Sequence, residues 1–231
     1  MMKVVVIGCT HAGTAAVKTI LRENPNAEVT VFERNDNISF LSCGIALYVG
    51  GVVKDPTGLF YSNPDELSKL GAEIKIRHNV KSIDTENKKV VAENLITGEE
   101  LEVSYDKLVN TTGSWPIIPP IPGIDSKNIL LCKNYEQANV IISKVKDAEH
   151  VVIVGGGYIG IELVEAFRES GKAVTLIDGL DRILNKYLDK EFTDVLEKDL
   201  KDRGITLALN QAVERFVANE QGEVTAVVTA K

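Results

Sequence analysis

The chain has 231 residues, and its 44% apolar content suits one large or two small soluble domains with a buried core. Thirty-three acidic residues against 26 basic ones give a net charge of −7 without any basic run, so nucleic acid and anionic membranes are not expected partners. No apolar run approaches the length of a membrane span, and a strand pattern begins at Lys3 where a leader would be apolar, so we expect a cytoplasmic protein.

The chain contains three cysteines, Cys9, Cys43 and Cys132. Their odd number and wide separation argue against a disulfide framework and against a zinc site. Any redox role is therefore expected to rest on single thiols.

The first 33 residues predict a strand, a glycine turn at Gly8–Gly13, a helix and a second strand that ends at Glu33. The turn follows the G-x-G-x-x-G spacing of dinucleotide-binding folds, except that Thr10 takes the place of the middle glycine. Glu33 lies twenty residues after Gly13, at the distance of an acid that binds a ribose. We interpret this stretch as a dinucleotide site, with an ordinary βαβ turn as the alternative.

Residues 36–51 follow no simple period and contain Cys43 between Ser42 and a glycine. Ser42 is predicted to cap a helix that begins near Cys43, and a thiol at a helix N-terminus has its thiolate favoured by the dipole. The alternative is a buried cysteine that acts as a small hydrophobic residue. Ala46 and Tyr48 occupy the positions where a C-x-x-C or C-x-x-x-x-C motif would place a second thiol, so a dithiol reductase is disfavoured.

The middle of the chain predicts a helix capped by Asn63, followed by four short strands between residues 73 and 104. We expect these strands to form an antiparallel sheet. A buried strand at 107–110 then returns and leads into Thr111. Four of the seven prolines lie in residues 115–122, which predicts a stiff connector between two domains, 1–115 and 116–231.

Residues 151–178 repeat the first pattern more completely, with a buried strand, glycines in full G-x-G-x-x-G spacing, a helix, a second strand and a terminal acid. The glycines are Gly155, Gly157 and Gly160, and the acid is Asp178. A carboxylate at that place accepts hydrogen bonds from ribose hydroxyls and repels a 2′-phosphate, so NAD(H) is predicted over NADP(H).

The remaining chain predicts a helix over 189–203 and strands at 205–209, 213–217 and 224–230. Together the patterns predict an α/β protein with two Rossmann-like nucleotide-binding folds of three-layer ββα character, the second inserted after the first part of the first. We expect the second fold to be nearly complete.

Four motifs carry a family resemblance: GCTHAGT at 8–14, SFLSCG at 39–44, TTGSWP at 111–116 and GGGYIGIE at 155–162. Together they resemble the flavin-dependent NADH oxidase and NADH peroxidase branch of the pyridine nucleotide-disulfide oxidoreductases. The resemblance covers the whole chain, and threonine at the middle glycine position fits this branch.

The resemblance implies that the first fold binds FAD and the second binds NADH. The implied FAD contacts are Gly8, Thr10, His11, Ala12, Gly13, Glu33, Cys43, Val80, Thr111, Thr112, Gly113, Ser114 and Lys133. The implied residues of the second fold are Gly155, Gly157, Tyr158, Ile159, Gly160, Glu162, Asp178 and Tyr187. Tyr158 would cover the flavin when nicotinamide is absent, Glu162 would point to the flavin side or simply be a surface residue, and Tyr187 would contact the adenosine half.

The resemblance also implies that Cys43 cycles between thiolate and sulfenic acid, with His11 as its acid-base partner. The implied reaction is oxygen reduction to water with NADH, and the alternatives are NADH peroxidase, coenzyme A disulfide reductase or a nucleotide-binding fragment without turnover. Members of the family are longer, with a further FAD segment and a dimerisation domain, so the chain resembles a truncated member whose intact parent is a homo-oligomer.

Overall fold

The structure, a computed structural model, describes residues 1–231 and divides into two compact units. The first unit comprises Met1–Leu41 and Pro56–Trp115, and the second comprises Ser42–Asp55 and Pro116–Lys231. The elements in chain order are β1 (Lys3–Ile7), α1 (His11–Glu23), β2 (Glu28–Glu33), α2 (Ile45–Val49), α3 (Pro64–Lys69), β3 (Ala72–Ile76), β4 (His78–Asp84), β5 (Lys89–Asn94), β6 (Glu100–Ser104), β7 (Lys107–Asn110), α4 (Tyr135–Val145), β8 (His150–Val154), α5 (Tyr158–Glu169), β9 (Ala173–Ile177), α6 (Lys190–Asp202), β10 (Thr206–Ala208), β11 (Val213–Ala218) and β12 (Val224–Thr229).

The first unit has three layers. Its central sheet is parallel, in the order β3-β2-β1-β7, and a separate antiparallel sheet has the order β4-β5-β6. Because successive side chains of a strand face opposite sides, Val4 packs with Val17 of α1 on one face, whereas Val5 packs with Val90 of β5 on the other. The predicted ββα character is confirmed here.

One predicted strand was assigned to the wrong sheet. The stretch beginning near Glu73 was expected to open the antiparallel sheet, but β3 pairs in parallel with β2. The 38 residues between Glu33 and Ala72 include α3, and a crossover of this kind joins parallel strands rather than a hairpin. The antiparallel sheet therefore has three strands, not four.

The second unit repeats this plan with one strand fewer in each sheet. Its parallel sheet has the order β10-β9-β8, and β11 pairs antiparallel with β12. α5 packs on the sheet through Ile161, Val164 and Phe167, as its helical spacing predicts.

β8 lies at an edge of its sheet, whereas its counterpart β1 is flanked on both sides. The sequence predicted a buried strand at 151–154, but Val152 is 38% exposed and Val154 is 53% exposed. In the first unit the corresponding face of the sheet, with Val5 and Ile7, is covered by the antiparallel layer. The antiparallel pair of the second unit leaves Val152 and Val154 exposed, so apolar sequence alone did not decide burial here.

Residues 42–55 were predicted to belong to the first domain, but their contacts place them in the second unit. Ala46 and Val49 of α2 pack against the apolar core that α5 helps to form. The predicted cap is also wrong: Ser42 lies in a 3₁₀ turn, and Gly44 precedes α2 without any side-chain cap. Because α2 has only five residues and starts after Cys43, its dipole offers this thiol little stabilisation.

No helix of the chain is both long enough and apolar enough to cross a membrane. The histidine, cysteine and carboxylate side chains form no group that could hold a metal ion.

Candidate functional site

The first glycine turn is shaped by contacts that leave no room for a side chain. Gly8 has φ +88°, and a Cβ there would lie 2.5 Å from the Thr111 carbonyl oxygen. A Cβ on Gly13 would lie 1.9 Å from the Gly8 carbonyl oxygen. The Thr111 hydroxyl lies 2.9 Å from the Ile7 carbonyl oxygen and 2.8 Å from that of Gly8, to which it donates. Thr111, predicted as a flavin contact, thus also holds the turn closed.

The second glycine turn has the same close approach. Gly155 has φ +114°, and a Cβ on Gly160 would lie 1.9 Å from the Gly155 carbonyl oxygen. Gly157 differs, because no atom lies within 4 Å of the position that its Cβ would take. The middle glycine therefore faces open space, as expected where a pyrophosphate approaches the backbone.

The helices that follow these two turns begin with no side chain that would bind their free N–H groups or offset the positive end of their dipoles. Thr10 and Gly157 precede α1 and α5, neither provides a side-chain cap, and neither helix has an acid in its first turn. By contrast, Asn63 and Asn134 cap α3 and α4, and both of those helices have acids in the first turn. Unpaired N–H groups and a positive dipole end favour a bound phosphate, so α1 and α5 fit the two predicted dinucleotides.

The two predicted ribose acids are held in the same way. Glu33 is 3% exposed and accepts hydrogen bonds from the Cys9 amide (2.7 Å) and from the Asn35 amide (2.9 Å) and side chain (2.7 Å). Asp178 accepts from the Gly156 amide (2.5 Å) and from the Leu180 amide (2.7 Å). In each unit, therefore, the acid binds the amide that follows the first glycine of the turn. The sequence did not identify Asn35, which has no spacing signal.

His11 is the first residue of α1 and is exposed. Its ring stacks on that of Tyr61, with centroids 5.6 Å apart and an angle of 14° between the planes. The Tyr61 hydroxyl donates to the Thr10 carbonyl oxygen (3.1 Å), and burial raises the Tyr61 pKa. Sequence reasoning missed Tyr61 because 50 residues separate it from His11.

Tyr158, expected to cover the flavin when nicotinamide is absent, and Tyr187, expected to contact the adenosine half, have rings that lie together. The centroids are 4.5 Å apart and the planes meet at 47°, a tilted aromatic pair. Both side chains are more than half exposed, at 51% and 57%. The start of α5 is thus bordered by two accessible aromatic rings.

The three cysteines are free and differ in environment. Burial raises the pKa of Cys9 to about 11, and burial together with the charge of Glu162 raises the pKa of Cys132 to about 11. Cys43 is exposed in the Ser42–Gly44 turn of the second unit. Cys43 is therefore the one exposed thiol of the three.

The other predicted site residues lie in several elements of the two units. Val80 is half-buried on β4 beside an irregularity in its pairing with β5. A contact that sequence reasoning missed lies in the same unit, where the Arg34 guanidinium is 5.1 Å from the centre of the Trp115 ring. The remaining positions are Ala12 and Ile159, exposed in the first turns of α1 and α5, Thr112, Gly113 and Ser114, exposed after β7, and Lys133, half-buried before α4.

Comparison with known proteins identifies relatives of this chain. The chain is 74% identical over 228 residues to a protein of Enterococcus faecalis named NADH oxidase. The aligned region covers 99% of this chain and 51% of that protein. It is 55% identical to the structure of a water-forming NADH oxidase from Lactobacillus brevis bound to NADH, with a TM-score of 0.96 over 100% of this chain and 51% of that one. An engineered variant described as a water-forming NADPH oxidase, bound to NADPH, gives 54% identity and a TM-score of 0.96 over 99% of this chain and 51% of that one.

The chain spans about half the length of the curated relatives it matches. The Rossmann-like fold class is confirmed by these structures, and so is the family resemblance. Residues 2–231 match the family described as pyridine nucleotide-disulphide oxidoreductase. With a match along almost its whole length, the chain belongs to the pyridine nucleotide-disulphide oxidoreductase family.

Proposed function

We propose that this chain supplies the dinucleotide-binding part of a FAD-dependent NADH oxidase that reduces oxygen to water through Cys43. The names of the similar proteins, NADH oxidase and water-forming NADH oxidase, support the reaction class. The structural support comes from two repeated glycine turns, each with an uncapped helix N-terminus and a fixed acid.

FAD is assigned to the first unit and NADH to the second. Gly8, Gly13 and the start of α1 would hold the FAD pyrophosphate, and Glu33 would accept hydrogen bonds from its ribose. The corresponding NADH residues are Gly155, Gly157, Gly160 and Asp178. When bound, FAD supplies the passage of two electrons from NADH to oxygen. NADH is preferred over NADPH because backbone amides hold both Asp178 oxygens in place and a carboxylate there would repel a 2′-phosphate.

The observation that carries the proposal is the single exposed thiol. Cys43 is accessible, whereas the two other thiols are shielded and have a pKa of about 11. An isolated accessible thiol suits a cycle between thiolate and sulfenic acid, since a dithiol cycle needs a second cysteine nearby.

The proposed reaction balances over two NADH molecules. The first NADH and one proton reduce oxygen to hydrogen peroxide. The Cys43 thiolate attacks one peroxide oxygen, the O–O bond breaks, and the leaving hydroxide takes a proton to become water while Cys43 becomes a sulfenate. The second NADH and one further proton remove the sulfenate oxygen as a second water and restore the thiolate.

His11 is proposed as the acid-base residue that gives a proton to the leaving oxygen and takes back the proton of the new sulfenic acid, which leaves Cys43 as the sulfenate. Its stack on Tyr61 restricts the ring orientation, and its exposure leaves the ring nitrogens accessible. Histidine suits this task because its ordinary pKa lies near neutral pH.

The test uses an extended enzyme, defined as residues 1–231 of this chain followed by the remaining C-terminal part of the Enterococcus faecalis relative. With NADH and FAD it is expected to consume one oxygen per two NADH and to release little peroxide. Cys43→Ser is expected to keep NADH oxidation but to consume one oxygen per NADH and release one peroxide. An oxygen electrode and a peroxidase-coupled dye measure both ratios.

Each alternative function gives a different result in the same assay. An NADH peroxidase would oxidise NADH only after peroxide is added, and a coenzyme A disulfide reductase would require that disulfide. Unchanged water formation by Cys43→Ser would show that Cys43 only packs. Cys132→Ser is the matched control and is expected to behave as the unmutated enzyme, because its thiol is shielded.

A further inference from the structure

The Cys43 turn is continuous with a short helix that is fastened to the second unit. α2 begins two residues after Cys43, and Ile45, its first residue, is buried. Ala46 and Val49, one helical turn apart, pack against the core that includes Ile161 and Val164 of α5. The position of α2 therefore decides where the exposed thiol is presented.

A polar contact fixes α2 laterally against α4. The Tyr48 hydroxyl donates to the Asn139 side-chain oxygen at 2.9 Å, and its ring stacks on Tyr135 with centroids 6.0 Å apart and 25° between the planes. Burial and the neighbouring Tyr135 raise the Tyr48 pKa, so this hydroxyl stays protonated and remains a donor at neutral pH. A five-residue helix has little stability of its own, so such contacts hold it.

The end of α2 lies close to α5, so a side chain there would be crowded. A Cβ on Gly50 would lie 3.0 Å from the Ala166 Cβ and 3.3 Å from the Ala166 Cα. Gly50 has φ −76°, which suits any residue, so glycine serves here for space and not for backbone freedom. A larger residue at this point would require α2 or α5 to shift.

We propose that Tyr48, Asn139 and Gly50 are positioning residues for Cys43, and that they set the fraction of peroxide that the thiol captures before it escapes. The inference rests on the proposed function of Cys43 and adds a determinant of product specificity. The geometric basis is that α5 begins directly after the nucleotide turn and that α2 packs beside it in the second unit. The same packed helices would therefore position both NADH and the thiol.

The test measures peroxide released per NADH oxidised by the extended enzyme carrying Tyr48→Phe. This change removes the hydrogen bond to Asn139 and keeps the aromatic stack. We expect peroxide release to rise up to roughly tenfold, as the loss of one half-buried hydrogen bond permits. The KM for NADH should stay within about twofold of the unmutated value, because the glycine turn and Asp178 are untouched.

Controls separate positioning from general loss of stability. Tyr105→Phe removes a hydroxyl that donates to the Asp84 carbonyl oxygen in the first unit, and it is expected to release no extra peroxide. Asn139→Leu should reproduce Tyr48→Phe, whereas Asn139→Asp keeps an acceptor oxygen and should restore low release. The two Asn139 variants test whether the hydrogen bond positions Cys43 even where Tyr48→Phe folds poorly. Gly50→Val should raise release further by pushing α2 from α5.

The outcomes distinguish the two proposals. If Cys43→Ser releases no peroxide, the function proposed for Cys43 fails. If Cys43→Ser releases peroxide but Tyr48→Phe and Asn139→Leu do not, Cys43 acts without this contact and the positioning proposal is overturned. Equal release by Asn139→Asp and Asn139→Leu would also overturn it.

Discussion

Glu33 and Asp178 occupy equivalent places at the ends of the second strands of the two units, and each accepts a hydrogen bond from the amide after the first turn glycine. Acids at this position are generally considered for their bonds to ribose. The structure adds that the same carboxylates tie the glycine turn to the strand, so their removal acts on both the ribose and the phosphate regions.

Asp178→Ala is expected to weaken NADH binding about 10- to 100-fold, since a hydrogen bond to a charged group contributes roughly 1.5–3 kcal/mol. NADPH binding should fall less, because the lost carboxylate also repelled the 2′-phosphate. Titration of the chain with each nucleotide measures both affinities. Asp194→Asn, an exposed acid paired with Lys190 on α6, is the control. Equal affinity of the unmutated chain for NADH and NADPH would contradict the prediction.

Alkylation by iodoacetamide is expected to distinguish the three thiols. At pH 8 a thiol with a pKa of about 11 is about one part in a thousand thiolate, so Cys9 and Cys132 should react slowly and Cys43 fastest. The reaction of Cys132 should increase as pH rises toward 11, because its thiolate forms only there. Peptide mass spectrometry gives the three rates. Labelling of Cys132 at pH 8 as fast as Cys43 would refute this ordering.

At the scale of elements, the two strand–turn–helix units separate two duties of glycine. Gly160 permits α5 to approach the carbonyl of Gly155, so its absent side chain serves packing. Gly157 has open space above it, so we propose that its absent side chain serves the ligand. On this proposal, one sequence motif contains a folding position and a binding position.

We predict that Gly160→Ala mainly lowers stability, whereas Gly157→Ala mainly weakens NADH binding. Gly160→Ala should destabilise the second unit by about 1–3 kcal/mol, because the methyl group cannot fit against the Gly155 carbonyl. Gly157→Ala should leave the melting temperature nearly unchanged and weaken NADH binding. Differential scanning fluorimetry and nucleotide titration measure the two effects. A stable Gly160→Ala that binds NADH normally would contradict the close approach.

At the scale of the whole molecule, the two units share one plan but differ in how their first strands are protected. β1 has a strand on each side, whereas β8 is an edge strand with two exposed valines. Edge strands carry unpaired backbone groups and are prone to association. The first unit is therefore expected to be the more stable of the two.

Hydrogen exchange on the chain of 231 residues is expected to show this difference. Backbone amides of residues 3–7 should exchange more slowly than those of residues 150–154, since β1 is flanked on both sides. Val152→Thr is expected to reduce association at high concentration without a change in the first unit. Mass spectrometry measures the exchange, and equal protection of the two strands would contradict the expected difference in stability.

A protein limited to residues 1–231, about half the length of the curated relatives, is expected to bind NADH weakly and FAD poorly, and not to turn over. Absorption after desalting tests this expectation, because retained flavin is yellow. A stoichiometric flavin band that NADH bleaches would overturn it. The extended enzyme is the positive control.

Features that depend on local spacing were predictable from the residues alone. Glycine turns, the acids at 33 and 178, and the helices and strands around them follow from short-range sterics and hydrophobic periodicity, so they were predicted close to where they lie. The family also followed from such motifs.

Contacts between distant residues became visible only in the folded chain. The stack of His11 on Tyr61, the bond from Tyr48 to Asn139 and the placement of residues 42–55 in the second unit join residues that no local pattern relates. The parallel pairing of β3 and the exposure of Val152 were predicted wrongly for the same reason. Burial and strand partners depend on which layers cover a sheet, and that is a property of the assembled fold.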